Sequence, residues 1–314
     1  MFKRILVPLD GSSEASEALP VAARIARASG GSISLLEVAS PQLDYGGGSS
    51  IAPMMTGEVN ESDLATAADY LRQVEASEVL AGISTVTEVS FGLPAQCIVS
   101  AANSGEVDLV VLHSHGRTGF TRWALGSVAH TLVHESTIPT LVLRETKSAP
   151  LPLSGEATRP LCALIPLDGS KLAEAALAPA VSLVSALAAP EQGMLHLAQV
   201  VRLSQTSADE GYVSERNNEA LEQAKTYLAQ VTERLQRSDQ KTRLSITSSV
   251  KIEKDVASAL VNLAEHGDGE AGASGLIAIS THGRHGVERW VMGSVTDRLL
   301  NTTRLPMLIV RPPR

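Results

Sequence analysis

Apolar and polar positions along the chain fall into two alternating kinds of block. Short, continuous apolar runs are followed by longer stretches whose apolar residues recur near helical spacing. Residues 5–9 form the first run, and Asp10-Gly11-Ser12 closes it. Ser13 to Ser29 follows, with Ala18, Leu19, Ala22, Ala23, Ile25 and Ala26 near helical spacing and Gly30-Gly31 as its stop. Pro20 lies inside that stretch, which predicts a kink there or a helix start nearer Pro20. The same reading predicts strands over 33–39, 85–91, 109–112 and 140–143, and helices over 65–80, 94–102 and 128–134. Pro94 suits a first helical turn, where no backbone donor is needed. Strands joined by helices indicate a parallel sheet covered on both faces, hence an α/β, doubly wound fold. Runs such as Leu109-Val110-Val111-Leu112 are apolar throughout, as burial on both sides requires.

The pattern occurs twice. Val7-Pro8-Leu9-Asp10-Gly11-Ser12 returns as Ile165-Pro166-Leu167-Asp168-Gly169-Ser170. His115 to Arg144 returns without a gap as His282 to Arg311, with 13 of 30 positions identical. The offsets are 158 and 167, so the second half carries nine extra residues between its matched blocks. The 314 residues therefore divide into domains at 1–146 and 161–314. Residues 147–160 read as a linker, within a stretch rich in proline and without periodicity.

Composition narrows the function classes. Hydrophobic residues make up 44% and charged residues 19%, which excludes disorder for most of the chain. A net charge of −8 argues against sequence-independent binding to nucleic acid. The apolar runs are too short for a membrane span or a signal peptide. Cys97 and Cys162 form no closely spaced pair, which points to a reducing cytoplasm; Cys97 is expected to be buried.

The candidate chemistry sits at the carboxyl ends of strands, where open α/β sheets hold ligands. One element is Asp10-Gly11-Ser12, repeated at Asp168. The other is the glycine-rich stretch after the fourth strand: Gly116, Arg117 and Gly119, then Gly126-Ser127, with Ser127 a natural helix N-cap. The second half offers Gly283, Arg284, Gly286, Gly293 and Ser294. Glycines that let backbone approach closely, a helix N-terminus and an arginine make a phosphate cradle. The plain alternative is a tight turn with a helix cap. Its recurrence at matching spacing favours the cradle.

Pro-x-Asp-Gly-Ser on the first strand, His-Gly-Arg-x-Gly after the fourth, and Gly-Ser-Val beyond it resemble the universal stress protein family. The resemblance covers both halves. It implies a five-stranded parallel sheet per domain and binding of ATP, with or without Mg, or of another adenine nucleotide. It assigns the nucleoside to Asp10 and Asp168, alongside Pro8 and Pro166. Backbone at Val38 and Val200 would meet the adenine. The phosphates would rest on Gly116, Gly119, Gly126 and Ser127, or on Gly283, Gly286, Gly293 and Ser294. Both halves depart at the family's first glycine, which is His113 in one half and Ser280 in the other. The bulk of His113 ranks the second site above the first. Gly92-Leu93-Pro94 is matched by Glu253-Lys254-Asp255, which alters a neighbouring loop.

Other motifs carry less. No P-loop or Gly-x-Ser-x-Gly elbow occurs. Gly267-Asp268-Gly269-Glu270-Ala271-Gly272 precedes a strand and reads as a flexible acidic loop. His130 and His134 lie one helical turn apart, but Asp297 and Asn301 replace them in the repeat, which disfavours a metal. Trp123 and Trp290 recur and read as packing residues. Loops 40–62 and 201–217 follow the second strands, and only the first has a glycine run, which reads as a disordered insertion ahead of a lid that orders on binding. The expectation is a cytoplasmic, nucleotide-binding regulatory protein whose domains pair as a pseudo-dimer and which can dimerise further. The alternatives are a slow ATP-hydrolysing enzyme and a nucleotide-free scaffold for an unknown protein partner.

Overall fold

The computed structural model describes residues 2–40, 61–104, 106–114, 125–144, 160–202, 210–238, 244–268, 272–281 and 292–312. The first half runs β1 (Arg4–Leu9), α1 (Ser13–Ser16), α2 (Ala18–Ser29), β2 (Ser32–Ala39), α3 (Glu61–Glu75), β3 (Ser84–Phe91), α4 (Pro94–Asn103), β4 (Leu109–His113), α5 (Ser127–Glu135) and β5 (Thr140–Leu143). The second repeats that order as β6 (Cys162–Pro166), α6 (Lys171–Glu174), α7 (Leu177–Ala188), β7 (Met194–Arg202), α8 (Glu210–Ser238), β8 (Ser245–Glu253), α9 (Val256–His266), β9 (Leu276–Ser280), α10 (Ser294–Thr302) and β10 (Met307–Val310).

The expected helix over 13–29 is two helices. The break falls at Glu17, so Pro20 stands in the first turn of α2, where its missing N–H costs nothing. The extra length of the second half goes largely into helix: α8 has 29 residues against 15 in α3. Much of the expected loop 201–217 is therefore helical from Glu210 on.

Each half has the strand order 3-2-1-4-5, all parallel. The halves join through β5 and β10, which pair antiparallel with Leu308 opposite Leu141. A single ten-stranded sheet results. The pairing satisfies backbone groups that each half would otherwise leave at a sheet edge.

Helices cover both faces. α2, α3, α7 and α8 pack on the face that buries Ile5, Val7, Leu109 and Val111. α4, α5, α9 and α10 cover the face that buries Leu6, Val110, Leu112 and Ile277. Residues 171–188 are apolar enough on average to resemble a membrane span, which the run-length reading above misses. Here they are α6 and α7, and Leu177, Leu183, Val184 and Leu187 are buried in the core.

Candidate functional site

The Asp-Gly-Ser element folds identically in both halves. Asp10 Oδ1 accepts from Ser12 N at 3.0 Å and from Ser12 Oγ at 2.6 Å. Asp168 Oδ1 accepts from Ser170 N at 2.9 Å and from Ser170 Oγ at 2.6 Å. Ser12 Oγ in turn accepts from Ala15 N, and Ser170 Oγ from Ala173 N, each at 3.1 Å, capping α1 and α6. Gly11 and Gly169 have φ of 77° and 84°, a left-handed turn that favours glycine. The motif thus builds its own turn and fixes an aspartate at a strand end.

Pro8 and Pro166 open the crevice beside it. Arg4 O accepts from Asp108 N at the start of β4, so alternate β1 residues, Pro8 among them, turn their backbone groups toward β4. Proline has no N–H to give, and β1–β4 pairing runs only from Ile5 to Leu6. Cys162 O accepts from Gly275 N in the same way, and β6–β9 pairing runs only from Ala163 to Leu164. Each proline therefore parts the strands where the strand order reverses, the usual place for a ligand in such a sheet. Strand register makes Val38 and Val200 equivalent: Leu36 faces Pro8, Ala198 faces Pro166, and each valine lies two residues on.

At the far wall, Gly126 N donates to Ser114 O at 2.9 Å, and Gly293 N donates to Thr281 O at 2.8 Å. These bonds tie the starts of α5 and α10 to the exits of β4 and β9. Gly126 and Gly293 are the N-caps; Ser127 and Ser294 are the first helical residues. Neither serine is the cap that the sequence reading expects, and neither helix has a side-chain cap. The first N–H groups of both helices therefore lack an internal acceptor. A Cβ on Gly293 would lie 3.2 Å from Thr281 O, too close without local movement.

The departing positions are both buried. His113 shares the face of Leu109 and Val111, where its imidazole lies 3.5 Å from Glu17 at the α1–α2 break. Its bulk is accommodated there, away from the face that holds Val38. Ser280 O accepts from Thr296 Oγ1 at 3.0 Å, a further tie between β9 and α10. Gly116, Arg117, Gly119, Gly283, Arg284 and Gly286 lie outside the described residues, as do Trp123, Trp290 and most of the linker and of loop 40–62.

The halves differ next to this wall. Helix starts place Asp255 opposite Leu93, one position from the expected match with Pro94. Asp255 caps α9 and receives Arg298 of α10 through two bonds of 2.8 and 2.6 Å. Those bonds, with Ser258, hold its carboxyl down at about 2. Arg298 and Arg202 escape the sequence reading, and Lys254 enters it only as part of an altered loop. An Asp-x-x-Ser cap beside a cation would have been the signal. Two other readings change. Cys97 is half-exposed, with its Sγ 3.5 Å from Phe91 O. Asp268, expected on a solvated loop, is turned inward to 3.6 Å from buried His196.

Residues 1–144 and 163–311 each match the universal stress protein family. The chain belongs to that family, as a tandem of two such domains. This membership carries a role in the stress response. A universal stress protein of Mycolicibacterium smegmatis is 26% identical over 98% of this chain and 97% of its own length. One from Methanocaldococcus jannaschii is 30% identical over 47% of this chain and 85% of its own. A universal stress protein structure from Archaeoglobus fulgidus superposes with a TM-score of 0.60 at 19% identity, covering 98% of this chain and 96% of that one. The last likeness concerns the fold alone.

Proposed function

We propose that this universal stress protein binds an adenine nucleotide, ATP with or without Mg²⁺, in the crevice at the strand ends of each half. It acts as a cytoplasmic regulatory module whose domains form a pseudo-dimer, which can associate again as a homodimer or with a regulatory protein. The observation that carries the reading is the repeated far wall: in each half a glycine N–H is pinned to the strand exit, and an uncapped helix start follows. Such a start favours an anion through its free N–H groups and its dipole. Asp10 and Asp168, fixed by their own turns, stand on the nucleoside side. A Cβ at Gly293 would press on Thr281 O at 3.2 Å, so the close tie between the α10 start and the β9 exit favours glycine there. Among the described residues no cluster of three or more His, Cys, Asp or Glu gathers for a metal, so Mg²⁺ would take its ligands chiefly from phosphate and water.

The test begins with purified protein, denatured to release and identify any retained nucleotide, and continues with ATP titrated into the stripped chain. Two ATP per chain, one lost in Gly126→Ala and one in Gly293→Ala, is the expected result. One ATP per chain, lost in Gly293→Ala alone, would restrict binding to the second half. Phosphate release that persists through purification and vanishes with Gly293→Ala would make the protein a slow hydrolase. No retained or titratable nucleotide would sink the reading and leave a protein-binding scaffold.

A further inference from the structure

The second half carries a cavity of about 290 Å³ where α9 and α10 begin, walled by Arg202, Lys254, Arg298, Asp255 and Ser294. Three cations stand there against one carboxylate, in a chain whose net charge is −8. Asp255 is already engaged, by Arg298 and by Ser258 Oγ at 2.9 Å. Arg202 and Lys254 are exposed and form no ion pair among the described residues. Cations gathered in one concavity repel one another, and an anion between them relieves that repulsion.

Ser294 belongs both to this cavity and to the far wall of the crevice, so the two spaces share a side. The volume falls at the lower limit of the roughly 300–1,000 Å³ usual for a site that takes a whole ligand, and suits one charged end of a larger one. The first half lacks the charges. Thr131 stands at the position of Arg298, Ser40 at that of Arg202, and Gly92 and Leu93 precede the helix where Lys254 and Asp255 do.

We propose that this cavity is a phosphoryl-binding subsite, which makes the second half prefer a polyphosphate ligand to a monophosphate. As a nucleotide subsite it rests on the reading above. The chemistry itself is that of a chain of phosphoryl groups, whether a nucleotide tail or free polyphosphate. Arg202 and Lys254 supply mobile charge, and Asp255 holds the Arg298 guanidinium in place.

Calorimetric titration of the intact chain with ATP, AMP and inorganic tripolyphosphate tests the subsite. The wild type is compared with Arg202→Ala/Lys254→Ala, and a thermal melt checks that the variant folds. Should it not, Arg202→Gln and Lys254→Gln carry the same comparison. The expected result is one ATP site weakened about tenfold, AMP binding within about twofold of wild type, and tripolyphosphate binding lost. ATP binding unchanged, or ATP and AMP weakened alike, would overturn the subsite and leave the nucleotide reading standing. Tripolyphosphate binding that depends on these residues, in a chain that binds no adenine nucleotide, would uphold the subsite for free polyphosphate and sink the nucleotide reading. Failure of all three ligands to bind would overturn both.

Discussion

Arg311 Nη1 donates to the carbonyl of His134 at 3.1 Å, so the arginine that follows the last strand of the second half holds the C-terminal end of α5 in the first. Its repeat partner returns the contact: Arg144 Nη2 donates to Leu300 O near the end of α10. A cation at a helix C-terminus meets the negative end of the dipole and a carbonyl without a helical partner. These crossed contacts, with β5 against β10, bind the halves on one face of the sheet. On the other face α2 packs against α7.

Arg144 is buried, and that burial lowers its guanidinium to about 10. Arg144→Ala removes a charged donor from a buried carbonyl and leaves a void at the joint. The expected loss is about 1–3 kcal/mol in urea unfolding. A change within error would mean that water replaces the bond without cost.

His196 ties stability to pH. Its Nδ1 lies 2.8 Å from Thr247 Oγ1 and its Nε2 2.8 Å from Ser249 Oγ, with both partners on β8. Burial lowers its pKa from 6.5, and the charge of Asp268 only partly opposes that. Its stabilising contribution is complete above pH 6.5, where the unfolded histidine is also neutral. It is lost as pH falls through the folded value, because the unfolded chain takes up the proton first. His134, lowered by burial and by His130, acts in the same direction. Unfolding free energy measured from pH 8 to pH 5 should fall below about 6.5, and His196→Ser should flatten the fall. An unchanged slope in that variant would assign the effect elsewhere.

The Asp-Gly-Ser turn predicts two separable losses. Gly169→Ala forces a left-handed φ on a residue with a Cβ and should cost about 1 kcal/mol or more. Ser170→Ala removes the α6 cap and should cost about 1 kcal/mol. Thermal unfolding of both variants and of their first-half counterparts, Gly11→Ala and Ser12→Ala, checks the equivalence of the two turns. A neutral Gly169→Ala would contradict the turn described here.

Asp255 reports on its partner. Its carboxyl sits at about 2 chiefly through the Arg298 hydrogen bonds. In Arg298→Ala the carboxyl should titrate upward toward 3.8, as read by NMR of the aspartate side-chain carbons. A carboxyl that stays near its original value would mean that Ser258 and the helix start suffice.

Much of the fold was legible because its determinants are local. Apolar runs, the Asp-Gly-Ser stop after Leu9 and the Pro94 helix start each act within a few residues. Repetition then marked which loops matter, since Gly126-Ser127 and Gly293-Ser294 keep their spacing. The misreadings arise where a distant residue decides. Asp268 looks like an ordinary loop acid until α9 and β7 bring it to His196. Ser127 has the type of an N-cap, but the bond from Gly126 to Ser114 makes Gly126 the cap, and the helix begins one residue earlier, at Ser127 itself.

By itself the sequence determined two copies of one strand-and-helix order and the turn that fixes an aspartate at a strand end in each. Short-range sterics, hydrogen bonding and hydrophobic period suffice for these. Only the tertiary structure decided that β5 and β10 merge the copies into one sheet, that Arg144 and Arg311 cross between them, and that Arg202, Lys254 and Arg298 meet beside Ser294. These contacts join residues far apart in the chain, and no local period or spacing encodes which distant backbone or charge will face them.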